Sequence, residues 1–202
     1  MMNNAAEPMR SLDTLLGQFL IAMPNMGDTR FEKTVIFLCA HSGDGAMGFV
    51  INRTLETPAL PEFLHQLNLI SDIERDRMPH PLRETPLHSG GPVEPGRGFV
   101  LHSSDYSSQS TLPIVEGVSL TATLEILRAI ATGEGPERSM IALGYSGWAS
   151  GQIEDEIGAN GWLTCPATAD LVFDGIQETK YERALWSMGI NPVLLSGESG
   201  HA

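Results

Sequence analysis

The 202-residue sequence predicts one domain in which short β-strands and amphipathic helices are interleaved. Three observations carry that reading. Runs rich in β-branched and aromatic residues, such as Thr34–Ala40 and Met47–Asn52, are separated by glycine-rich turn sequence. Apolar residues recur at helical spacing within 60–69, 121–133 and 178–188. No linker, repeat or coiled-coil pattern divides the chain, and a chain of this length buries roughly 70% of its unfolded surface as a single unit.

Taken in order, residues 1–16 are expected to form a flexible segment, with 1–10 disordered, and 17–202 the domain. Phe19–Met23 reads as a short strand ended by Pro24, and 25–30 as a polar loop. Thr34–Ala40 and Met47–Asn52 flank Ser42-Gly-Asp-Gly, which is turn chemistry, so a hairpin is predicted. Phe63, Leu64 and Leu67 mark a helix near 60–69. The charged stretch 71–86, with three prolines, is predicted to be a loop. Residues 87–93 and 97–103 read as strands around a glycine bend, and 112–120 as extended. Thr121 is placed to cap a helix whose stripe is Leu124, Leu127, Ile130 and Ala131, stopped at Gly133. Another strand is predicted at 139–144.

The stretch Gly144–Leu163 is the organising feature. Here a strand is expected to stop, loop over and enter a short helix bracketed by Trp148 and Trp162. Ser150 suits the N-cap, Glu154, Asp155 and Glu156 suit the positive end of the helix dipole, and Gly158 suits the end. The loop, with Tyr145, Trp148 and Gln152, is positioned either to form a packed corner or to wall a pocket. Segments 162–166 and 171–173 read as extended. A last helix is predicted over 178–188, ended by Gly189 and Pro192.

Charge narrows the function classes. Twelve Lys and Arg stand against 25 Asp and Glu, a net charge of −13, so no basic stripe is present to neutralise a duplex backbone. Direct nucleic-acid binding is therefore not expected. Only Cys39 and Cys165 occur, unpaired by spacing, which fits a reducing compartment. The first residues lack the apolar core of a signal peptide, and nowhere do 18 apolar residues run together. The expectation is a cytoplasmic protein with no membrane partner.

Individual motifs each compete with a plainer reading. Gly43-Asp-Gly-Ala-Met-Gly48 fits the dinucleotide fingerprint, but strand-like Phe49-Val-Ile follows where a helix N-terminus is needed, which favours a hairpin turn. Gly144-Tyr-Ser146-Gly-Trp approaches the nucleophile elbow with its second glycine displaced by one position, leaving a loop serine as the default. Cys39-x-His41 shares a strand face but has no second ligand pair, so no metal site is expected. Arg53, beside Asn52 at a strand end, suits bidentate grip of a carboxylate or phosphate as well as a solvated position. The run Glu154-Asp-Glu156 offers paired carboxylates or a solvated helix face.

Several blocks read together carry a resemblance: Phe19-Leu-Ile-Ala-Met-Pro-Asn-Met-Gly-Asp, Cys39 to Arg53, Ser89-Gly-Gly-Pro-Val, Arg97-Gly-Phe-Val-Leu-His, Leu143-Gly-Tyr-Ser-Gly-Trp, Gly151-Gln-Ile-Glu-Asp-Glu and Met188-Gly-Ile-Asn-Pro. In this order they resemble the AlgH/YqgE family of bacterial proteins. That resemblance implies an α+β fold, with a mixed, bifurcated sheet that includes a small barrel and is surrounded by helices. It implies no defined reaction and no catalytic residues, although members are commonly labelled transcriptional regulators. Thr29 and Thr54 stand where prolines are usual, Glu125 where aspartate is usual, and Ser146 where alanine is common, which speaks against a serine nucleophile.

The functional expectation is a non-enzymatic regulatory or binding protein acting through a protein partner or small ligand, with no cofactor. Its binding residues are expected among Asn52, Arg53, Gly90, Gly91, Tyr145, Trp148, Gln152 and Glu154, on glycine-rich loops that carry polar and aromatic groups. An enzyme, of hydrolase type, would draw on Ser146, His88, His102 and Glu154. A direct DNA-binding regulator is the other alternative, and the net charge disfavours it.

Overall fold

The computed structural model describes residues 14–24 and 26–195, so most of the expected flexible segment and the last seven residues lie outside the described residues. Nine strands form one sheet: β1 (Gln18–Ala22), β2 (Val35–Ser42), β3 (Gly45–Val50), β4 (Leu87–Ser89), β5 (Val93–His102), β6 (Leu112–Val115), β7 (Val118–Thr121), β8 (Ser139–Ala149) and β9 (Trp162–Pro166). Their order is β6-β7-β5-β8-β3-β2-β1-β9, with β4 alongside β8 and off that path. Among the described residues every strand pairing is antiparallel except β4 with β8. The protein is therefore α+β with a mixed sheet.

The sheet forks at β8. Residues Ile141–Leu143 pair with β4, whereas Ser146–Ala149 pair with β3. Gly90 sits in the fork: it donates its N–H to the Leu143 carbonyl at 2.9 Å and accepts from the Val50 N–H at 2.8 Å. The sheet also curls strongly. Gly17, just before β1, comes so near β6 that a Cβ there would lie 2.2 Å from Val115 Cγ1, although the two strands are far apart in the strand order.

Helices cover the curled sheet: α1 (Leu60–Gln66), α2 (Asp72–Arg77), α3 (His80–Arg83), α4 (Leu124–Thr132), α5 (Gln152–Gly158), α6 (Ala169–Phe173), α7 (Lys180–Ser187) and α8 (Pro192–Leu195), with a 3-10 turn at Thr29–Phe31. One apolar cluster joins Phe19, Phe37, Phe49, Phe99 and Met140 to Tyr181 and Leu185 of α7. A second packs α1 and α4, through Phe63, Leu64, Ile126 and Leu127, on Val100 and Ile141. The third seats Ile153 of α5 on Leu20, Ile36, Trp148 and Trp162.

Several elements depart from the sequence expectation. The stretch 71–86 holds two short helices rather than a loop, because Ser71 and Glu74 complete a reciprocal capping box at the start of α2. Helix α4 begins at Leu124 after Thr123, and Thr121 is instead a buried residue of β7 paired with Val100. Residues 171–173 belong to α6, whose N-cap is Thr168. Most consequential, β8 runs on to Ala149, so Tyr145 and Trp148 lie in a strand and not in a loop. Ser150 donates to the Gly43 carbonyl instead of capping α5, which starts after Gly151.

Gly144 decides which way Trp148 faces. In a regular strand side chains alternate, so Trp148 would share the face of Met140 and Ala142. Gly144 takes a left-handed conformation at φ 73°, and the alternation shifts there by one residue. Met140, Ala142 and Tyr145 consequently face the first cluster, whereas Trp148 faces the third, under α5.

Three basic side chains, Lys180, His88 and His102, are buried among the described residues. Lys180 is fully buried and donates Nζ to the Ile51 and Val172 carbonyls at 3.0 and 3.3 Å; burial lowers its pKa to about 8. Neither ring nitrogen of buried His88 makes a hydrogen bond of ordinary geometry among the described residues, and burial together with the Lys180 charge, opposed in part by the nearby Ile141 backbone, lowers its pKa to about 4. Below its ordinary value of 6.5 the unfolded chain gains a proton on His88 that the folded chain resists. Stability is expected to fall as pH drops from 6.5 towards 4, by about 3 kcal/mol from this group. Buried His102, lowered in the same direction, adds to it. Urea unfolding across that window measures the slope; His88→Leu is expected to flatten it, and an unchanged slope would assign the loss elsewhere.

Candidate ligand-binding site

An open cavity of about 400 Å³ lies between α5, the end of β8, the start of β9 and the 3-10 turn. Met26, Phe31, Trp148, Gln152, Glu156 and Trp162 are among the residues that line it. Each wall follows from local structure. The Gly144 shift turns Trp148 towards α5, pairing with β1 brings Trp162 alongside, and the 3-10 turn holds Phe31 against Trp162. The Trp148 and Trp162 rings meet edge to face at 6.1 Å, as do those of Phe31 and Trp162 at 5.6 Å. Such pairs contribute about 1 kcal/mol beyond their burial.

Glu156 organises the polar part. Its Oε2 accepts the indole N–H of Trp148 at 3.0 Å and that of Trp162 at 2.8 Å, and its Oε1 accepts Nε2 of Gln152 at 2.9 Å. Gln152 is fixed in turn, because its Oε1 accepts the Ala149 N–H at 3.0 Å. At the rim the Arg30 guanidinium forks onto Asp28, whose carboxyl it holds below the usual range.

The residues expected from sequence divide into three groups. Trp148 and Gln152 line the cavity. Asn52 and Arg53 act one layer behind it: Asn52 accepts the Val35 N–H and donates to the Lys33 carbonyl, both at 2.9 Å, and Arg53 donates to the Arg30 and Glu32 carbonyls. Both therefore pin the segment that presents Phe31. Asn52→Ala is expected to cost about 2 kcal/mol and to speed amide exchange at Val35, as measured by urea unfolding and hydrogen exchange.

The third group lies away from the cavity. Gly90 and Gly91 serve the fork, where a Cβ would meet the Gly144 carbonyl at 2.3 Å and Tyr145 backbone at 2.2 Å respectively. Tyr145 packs edge-on against Phe99 at 5.7 Å in the first cluster. Glu154 points outward and binds His41 Nε2 at 2.7 Å, a bond that lowers its pKa. Glu156, Trp162 and Phe31 were not among the expected residues. Glu156 looked like one of three interchangeable acids, and its partner Trp162 is remote in strand order from Trp148.

Of the side chains that a hydrolase would use, Ser146, His102 and Glu154 are each bound to other groups. Ser146 is buried within β8 and its hydroxyl points to the Gly90 carbonyl at 3.5 Å. His102 is buried between Ser103 and Thr121, and both nitrogens of His41 are engaged, by Leu15 and Glu154. Gly43–Gly48 forms the β2–β3 turn and the start of β3 rather than the mouth of a helix. The Cys39 thiol is buried, and burial raises its pKa. No helix among the described residues is long and apolar enough to cross a membrane.

Comparison with known proteins places these features in a family context. The family profile described as AlgH-like matches residues 19–193. A UPF0301 protein of Rhizobium meliloti is 52% identical over 202 residues, covering 100% of both chains. A UPF0301 protein of Beijerinckia indica is 56% identical over 187 residues, covering 92% of this chain and 91% of its own. The solution structure of the AlgH protein from Pseudomonas aeruginosa superposes with a TM-score of 0.75 at 43% identity, covering 97% of this chain and 100% of that one. A crystal structure of a Corynebacterium diphtheriae protein, at 16% identity and a TM-score of 0.67 over 96% of this chain and 95% of its own, shares the fold.

Proposed function

This protein belongs to the AlgH-like family, and we propose that it is a non-enzymatic cytoplasmic binding protein that exerts a regulatory effect by holding a small ligand, or a side chain of a partner protein, in the cavity between α5 and the 3-10 turn. The observation that carries the reading is the state of Glu156. Its carboxylate is held and oriented by two indole N–H groups and an amide. Aromatic walls with a few fixed polar groups are the usual make-up of a recognition pocket. The acidic balance of the chain, 25 acids to 12 bases, opposes direct DNA binding.

Native mass spectrometry of protein purified gently from bacterial cytosol tests this, alongside affinity capture. Phe31→Ala opens the rim through a residue of the surface turn. The wild type is expected to retain a discrete extra mass, or to capture a partner, that Phe31→Ala loses. If neither measurement distinguishes the two proteins, the cavity is not the binding site.

A further inference from the structure

We propose that the cavity takes the ammonium or guanidinium head of an organic cation, seated on the Oε1 side of the Glu156 carboxylate and walled by the aromatic side chains around it. This rests on the binding reading above and names its ligand class. Glu156 lines the cavity, and all three of its hydrogen-bond partners are neutral N–H donors. Among the described residues it forms no ion pair. Arg30, the cation that lines the same cavity, donates to both oxygens of Asp28, so that pair is balanced and Glu156 is left without a cation among the described lining residues.

Geometry leaves room for one more donor. A carboxylate offers about four lone-pair directions; two on Oε2 are used by the indoles and one on Oε1 by Gln152. The remaining direction on Oε1 suits an incoming N–H. Aromatic faces draw cations through their quadrupole, and at the rim the Arg30 guanidinium already lies over the Phe31 ring at 5.7 Å from its centroid. An anion would meet Glu156 unscreened within a chain of net charge −13. A calcium or magnesium ion needs six or more oxygens, and no group of three or more His, Cys, Asp or Glu side chains among the described residues is placed to hold a metal ion. An organic cation with a short apolar stem satisfies both the charge and the walls.

The test follows the indole N–H resonances of Trp148 and Trp162 in nitrogen-15 spectra while butylammonium and butylguanidinium are added, with pentanol and butyrate as neutral and anionic counterparts. Both cations are expected to shift both resonances saturably and to bind at least about tenfold more tightly than pentanol, a ratio that Glu156→Gln abolishes. The backbone spectrum of that variant reports its fold. Should it misfold, wild-type titrations at roughly 1 M salt, where screening lengths fall to about 3 Å, must weaken the cations and spare pentanol. Equal binding of pentanol and the cations would overturn the ligand class and leave the binding reading standing. Absence of a saturable shift from either cation would overturn it also, and the retained-mass experiment then decides the binding reading on its own.

Discussion

Replacing Glu156 by alanine is expected to destabilise the protein by about 3 kcal/mol, a fall in Tm of about 10 °C for a chain of this size. The reason lies in what the carboxylate leaves behind. Trp148 is 7% and Trp162 2% exposed, and each indole N–H has its acceptor in Glu156 Oε2. Hydrogen bonds to a charged acceptor contribute about 1.5–3 kcal/mol each, and water entering the open cavity recovers part of that loss. Glu156→Gln keeps one oxygen for the indoles and is expected to cost about 1 kcal/mol. Trp148→Phe removes one donor, so its effect combined with Glu156→Ala is expected to fall short of the sum. Strict additivity in a double-mutant cycle would show that the carboxylate and the indole are not coupled.

Gly144→Ala is expected to be the most damaging single-methyl change in β8, above about 4 kcal/mol, with loss of soluble protein as the practical outcome. Two costs coincide there. The backbone is left-handed at φ 73°, and a Cβ would stand 2.6 Å from the Gly91 carbonyl and 2.9 Å from that of Val93. Both contacts are backbone at the fork, where neither strand can yield without breaking its ladder. Gly147, three residues on in the same strand, provides the control. Its nearest neighbour to an added Cβ is the tip of Tyr145 at 3.4 Å, so Gly147→Ala is expected to fold with a change within about 1 kcal/mol. Equal losses at the two positions would mean that the fork is not what constrains Gly144.

Much of this architecture is legible in the residues alone, and the gaps have physical causes. The β2–β3 hairpin announces itself through β-branched runs around Ser42-Gly-Asp-Gly, and α4 and α7 through their apolar stripes. Strand order is another matter: periodicity reports which face of a strand is apolar, not which strand lies beside it, so the fork and curl were expected only through family resemblance. The same limit hid the site. Trp148 and Gln152 were expected because they sit in one aromatic, glycine-rich stretch. Phe31 reaches the cavity only because Arg53 and Asn52 pin its loop from across the fold, and Glu156 gains its role only when two strands bring both indoles to one oxygen. Tyr145, three residues from Trp148, faces the opposite side because one left-handed glycine shifts the alternation.

The central claim is that the cavity floored by Glu156 is where this protein meets its ligand. Chemical-shift mapping tests it most directly: isotope-labelled protein is titrated with the small-molecule fraction of bacterial cytosol, and every perturbed resonance is placed on the structure. Perturbations confined to Phe31, Gln152, Glu156 and the two indoles are the expected result. Perturbations centred on another surface, such as the groove between Pro166, Asp170 and Arg183, with the indole resonances unmoved, would contradict it.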